Sequence, residues 1–155
     1  MTGNAVPARK PHQTDERQLL LEVRFLSKPD RLKLIRPVVQ AAARMCGFDD
    51  QSADDIVLAT DEACQNVIIH GYQGRADKQI ALTAYLSGNY IEIHLRDTAP
   101  PVDPATAHPR DLDDVRPGGL GTHFMQAVMD DVTYLPPPGG VGNLLRLTKH
   151  LPRQS

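Results

Sequence analysis

The sequence predicts an α+β fold, a two-layer α/β sandwich in which three helices cover one face of a mixed, mostly antiparallel sheet. Two observations carry this. Apolar residues recur with period two in five short stretches and with helical spacing in three longer ones. The order is strand, helix, helix, strand, strand, helix, strand, strand, which lacks the strict alternation of strands and crossover helices that builds a wholly parallel sheet. At 155 residues the chain fits one domain, able to bury roughly 68% of its unfolded surface without disulfides or metals.

Residues 1–17 are polar, contain proline and show no periodicity, so a disordered tail is expected ahead of a domain over 18–151. Leu19, Leu21, Val23 and Phe25 then alternate with Leu20, Glu22, Arg24 and Leu26, a strand with one strongly apolar face. From Asp30, a plausible N-cap, Leu34, Val38, Ala41, Ala42 and Met45 follow helical spacing up to a glycine stop at Gly47. Pro37 either kinks this helix or marks the first turn of a shorter one, since proline has no N–H for an interior turn. A second helix opens at Ser52-Ala53-Asp54-Asp55, a weak capping box, presents Ile56, Ala59, Ala63 and Val67 on one face, and ends near His70-Gly71. Ile80, Leu82, Ala84 and Leu86 form a strand, joined through Ser87-Gly88-Asn89 to another carrying Ile91, Ile93 and Leu95. Residues 98–118 hold five prolines and little apolar content; a loop of that length inside a compact domain reads as a functional lid. Phe124, Val128 and Met129 mark a third helix. A strand at Val132-Thr133-Tyr134, a proline–glycine turn and a strand through Leu145 and Leu147 complete the domain.

Composition removes several function classes. A net charge of −2, from 17 basic and 19 acidic residues, gives no electrostatic footprint for direct nucleic-acid binding. No apolar run is long enough to span a membrane and no secretory signal opens the chain, so a soluble cytoplasmic protein is expected. Cys46 and Cys64 lack ligand spacing and read as reduced core thiols. The six histidines are scattered without metal-ligand or triad spacing, which argues against a metal hydrolase or a Ser-His-Asp enzyme.

Three features carry chemistry. Glu62, Asn66 and His70 recur every four residues on the second helix; a four-residue step advances a side chain only 40°, so they form one polar stripe beside an apolar face. Asp97 continues the inward alternation of Ile91, Ile93 and Leu95. It either faces a pocket or bonds its own turn. Gly118-Gly119-Leu120-Gly121-Thr122 leads into the third helix, where exposed N–H groups and a positive dipole suit an anion such as phosphate; a flexible hinge is the alternative.

Taken together, these motifs resemble the GHKL, or Bergerat-fold, ATPases, and most closely the bacterial anti-sigma-factor serine/threonine protein kinases. Glu62-Ala63-Cys64-Gln65-Asn66 with His70-Gly71-Tyr72 is similar to that family's N box, Asp97-Thr98-Ala99-Pro100-Pro101-Val102-Asp103-Pro104 to its first glycine box, and Gly118 to Thr122 to its second. The resemblance spans residues 19–150. It implies ATP and Mg²⁺ as cofactors, with Asp97 accepting the exocyclic amine of adenine and Asn66 placing an oxygen on the metal. It further implies His70, Ala99, Gly118, Gly119, Leu120, Gly121 and Thr122 around the nucleotide, the glycine segment giving backbone donors to the phosphates, and Glu62 as general base toward a serine or threonine hydroxyl. From position in the lid alone, Arg110 or Arg116 is expected to supply positive charge to the transferred group. One departure is Ala99, where the family has glycine; its methyl is expected to approach the adenine face and to weaken ATP binding.

The implied function is an ATP-binding anti-sigma factor with serine kinase activity. It would sequester a sigma factor and phosphorylate an anti-sigma-factor antagonist in a partner-switching system, as a homodimer. The alternative is a non-catalytic module of the same fold that binds partners with or without nucleotide.

Overall fold

The computed structural model describes residues 16–103 and 119–153, and in the last helix the side chains from His123 onward. Five strands, β1 (Gln18–Leu26), β2 (Gln79–Ser87), β3 (Tyr90–Asp97), β4 (Asp131–Leu135) and β5 (Asn143–His150), and three helices, α1 (Leu32–Met45), α2 (Asp50–Asn66) and α3 (Gly119–Val128), follow the expected order. The sheet order is β1-β2-β3-β5-β4, and each of the four pairings is antiparallel. The sheet is therefore more uniform than the mixed one expected. β5 lies inside the sheet because the chain crosses from β4, at the edge, back to pair with β3. In that register Asn143, the first residue of β5, faces Asp97, the last of β3.

Alternation sets the inward faces of β2 and β3, although Glu92 on the opposite face of β3 is also buried. Ile80, Leu82 and Ala84 of β2 and Ile91, Ile93 and Leu95 of β3 are buried, and Asp97 continues the same buried series. They pack with Ile56, Ala59 and Ala63 of α2 and with Leu147 of β5 in one core, so the three helices lie on one face of the sheet, α2 between α1 and α3. In β1 a register shift between Leu19 and Leu21 breaks the alternation and leaves Leu19 exposed. The expected tail lies outside the described residues except for its last two, and Arg17 is held: its guanidinium sits 4.2 Å from the Tyr85 ring centroid and 3.6 Å from Glu92.

Two local expectations are corrected, on α1 facing and on the α2 start, and of the two places open to Pro37 the interior one is found. α1 turns the other of its two apolar stripes inward: Leu32, Ile35, Val39, Ala42 and Ala43 are buried, while Leu34 and Met45 are 65% and 70% exposed. Pro37 sits inside the continuous helix rather than at its start. α2 begins earlier than the Ser52 box, because Asp49 in extended conformation is the N-cap and its carboxylate accepts the Ser52 N–H at 2.8 Å. Both cysteines are free thiols, Cys64 fully buried and Cys46 half-buried; burial pushes the Cys64 thiol far up, which keeps it protonated and unreactive.

Candidate functional site

The site is assembled at one end of the sheet, where α2 runs out. Beyond Asn66 the helix widens into a π turn, Val67–Gly71, in which the Tyr72 N–H reaches back to the Val67 carbonyl at 2.7 Å. A π turn carries an extra residue and rotates the residues beyond it relative to an α-helix. The stripe expected from the sequence is split between Glu62 and Asn66, inside the regular α-helix, rather than across the π turn. Asn66 and His70 line a cavity of about 800 Å³, within the range of small-molecule sites. Glu62, half-buried one turn earlier, is not among the described residues that wall it.

Opposite α2, Asp97 lines the same cavity and is only 5% exposed. Both readings of this residue hold. Its Oδ1 accepts the Ala99 N–H of its own turn at 2.9 Å and an N–H of the Asn143 amide at 3.0 Å, while among the described residues no protein donor is bonded to Oδ2. Burial raises the Asp97 carboxyl above the usual range, and the two donors, Asn143 first, only partly offset this. The segment after β3 is pinned from the other side by Tyr72, whose hydroxyl accepts the Thr98 N–H at 2.9 Å and donates to the Gln79 carbonyl at 2.6 Å. Tyr134 of β4 and Met125 of α3 complete the walls that matter here.

Ala99 is placed differently from the expectation. It is buried and does not line the cavity among the described residues; a side chain on Gly71 would meet its methyl at 3.1 Å. The methyl fills the space that Gly71 leaves, so the geometry gives no support to a clash with a base. What Ala99 contributes is its backbone N–H to Asp97.

Gly119, Leu120, Gly121 and Thr122 form the first turn of α3, where helical N–H groups lack intrahelical acceptors. Gly118, Arg110, Arg116 and the lid from residue 104 onward lie outside the described residues. The sequence reading missed Tyr72 as a pin, and it missed Asn143 and Gly142. Gly142 has φ +77°, and a Cβ there would lie 1.9 Å from the Asp97 carbonyl oxygen; a Gly-Asn pair opening a strand was the available signal.

What could such a site hold? Asn66 offers an amide oxygen, untied among the described residues, on a wall facing a carboxylate with one unused oxygen. A single neutral oxygen donor suits Mg²⁺, which dehydrates reluctantly and takes its other ligands from water and phosphate. Among the described residues no cluster of three or more His, Cys, Asp or Glu could hold a metal by itself.

Comparisons with known proteins give the relatives of the chain and a neighbour of its fold. The chain is 28% identical over 147 residues to the serine-protein kinase RsbW of Bacillus pumilus, covering 87% of this chain and 88% of that protein. It is 32% identical over 136 residues to the anti-sigma F factor of Thermoanaerobacter sp., covering 85% and 94%. Among solved structures, one holding the RsbU and RsbW domains of a Mycobacterium tuberculosis protein superposes with a TM-score of 0.63 at 18% identity, over 87% of this chain and 33% of that longer one, which supports the fold. The histidine kinase-like ATPase domain family matches residues 25–149, and with these relatives the chain belongs to that family, on the branch that includes the anti-sigma factors and RsbW kinases.

Proposed function

We propose that this protein is an ATP-binding anti-sigma factor with serine protein kinase activity, which sequesters a sigma factor and phosphorylates an antagonist protein, working as a cytoplasmic homodimer. The observation that carries the reading is Asp97: a buried carboxylate on the wall of an 800 Å³ cavity, with one oxygen fixed by the protein and the other left for a ligand. An acceptor-only group there suits the two N–H donors of the adenine amine. Across the cavity, Asn66 would hold the magnesium ion, which when bound neutralises phosphate charge. The first turn of α3, from Gly119 to Thr122, gives backbone donors toward the phosphates, with Gly118 before it and His70 at the rim.

Glu62 takes the role of general base toward the incoming hydroxyl. Its place one turn before Asn66, the proposed metal ligand, supports a reach toward the phosphate end of the site rather than the adenine end. That it stands off the described cavity wall favours a second reading, a nucleotide-binding module without transfer activity. Labelled Mg-ATP incubated with the protein and candidate antagonist proteins separates the two: phosphoserine on an antagonist supports the kinase, and nucleotide binding without any transfer supports the module. The exposed stripe of α1, with Leu34, Val38 and Met45 outward, supports the dimer. No helix of the described residues is long and apolar enough to cross a membrane.

A further inference from the structure

We infer that Asn143 is the positioning residue that fixes which oxygen of Asp97 is offered to the base, and thereby sets the preference for a 6-amino purine; this rests on the adenine reading above. The two residues face each other across β3 and β5, and Asn143 is 7% exposed. Its amide nitrogen donates to Asp97 Oδ1 at 3.0 Å and to the Pro100 carbonyl at 3.1 Å. Its amide oxygen accepts the Val102 N–H at 2.7 Å. Both donors and the acceptor of the carboxamide are thus used.

The consequence for Asp97 is geometric. Oδ1 receives two donors, from Asn143 and from the Ala99 N–H, which holds the carboxylate plane and leaves Oδ2 as the acceptor for a ligand. A threonine at 143 would bring one donor and an aspartate none, so neither could bridge Asp97, Pro100 and Val102 together. Gly142 permits the close approach, since any Cβ there would overlap the Asp97 carbonyl. A carboxylate locked in this way accepts an amine at the purine 6-position and gains nothing from a purine that lacks it.

The test compares Mg-ATP with the Mg complex of purine riboside triphosphate, which has no 6-amino group, by calorimetry on the full chain. The wild type is expected to favour ATP by at least about tenfold, because an unmade hydrogen bond in a buried site leaves a desolvated partner. In Asn143→Ala the ratio should fall toward one, chiefly through weaker ATP binding. The acid limb of ATP binding should also move to higher pH, since the charged form of Asp97 loses a donor. The titratable groups sharing the cavity are Tyr134, whose hydroxyl is pushed up by burial and by the Asp97 charge, His70 and Asp103; they are the same in wild type and variant, so a difference between the two profiles is assigned to Asp97. Equal weakening of both triphosphates with an unmoved acid limb would reduce Asn143 to a structural strut and overturn the inference. A wild type that binds both triphosphates equally would overturn the adenine reading and the inference with it. Should Asn143→Ala fail to melt cooperatively, the isosteric Asn143→Asp serves instead: a second carboxylate against Asp97 should abolish the ATP preference, and a preserved preference would sink the idea.

Discussion

Asp97 carries a charge into a place where water reaches it poorly, and its raised pKa means that the folded state binds a proton there more readily than the unfolded chain. Its ionised form therefore costs stability at neutral pH, and the cost disappears as pH falls through the raised value toward the ordinary carboxylate range. Asp97→Asn removes the charge while its amide oxygen can still accept from Ala99 and Asn143. It should melt at or above the wild-type temperature at pH 7.5 and bind no ATP measurably; a variant that retains ATP affinity would remove Asp97 from base recognition. Glu62 is tested by rate instead. Glu62→Ala should keep ATP binding and slow phosphoryl transfer to a cognate antagonist by ~10²- to 10⁴-fold, with unchanged transfer excluding it as the base. At this scale the sequence was legible wherever a polar residue broke an apolar pattern, as Asp97 breaks β3. Asn143 left only the Gly-Asn pair as a signal, and an asparagine after glycine reads as ordinary turn chemistry until β5 is known to pair with β3.

The elements were legible in kind and order, and what escaped was orientation. Helix α1 carries two apolar stripes at helical spacing, and periodicity reports that a stripe exists without saying which one meets the sheet. Leu32, Ile35 and Val39 go inward; Leu34, Val38 and Met45 remain at the surface. If the outward stripe holds a homodimer, replacing Leu34 and Met45 together by glutamate should weaken self-association at least ~tenfold in sedimentation equilibrium, as a truncated interface anchor does. Monomer stability should change by no more than about 0.5 kcal/mol, as for other surface substitutions. The β3–β5 pair gives a second expectation at this scale. Gly142→Ala combines a left-handed backbone with overlap on the Asp97 carbonyl, so urea unfolding should show a loss on the order of 2–3 kcal/mol. The α2 start is a milder case: Asp49→Ala removes the acceptor of the Ser52 N–H and should cost ~1 kcal/mol.

For the molecule as a whole, the cavity is where parts remote in sequence converge: the end of α2, the end of β3, the start of β5, the strand β4 and the helix α3. A ligand bound there bridges both layers and is lost when either layer opens, so its binding energy is coupled to global unfolding rather than to a local loop. Saturation with Mg-ATP at 100 times its Kd should add ~2.7 kcal/mol to the unfolding free energy. For a chain of this size that amounts to a rise in Tm of roughly 5–10 °C. Mg-GTP at the same concentration should give a much smaller rise, since its 6-carbonyl meets the Asp97 carboxylate with no donor between them. A comparable rise with both nucleotides, or one that persists undiminished in Asp97→Asn, would mean that affinity resides at the phosphate end, in Asn66 and the first turn of α3, and that the buried carboxylate serves the fold alone.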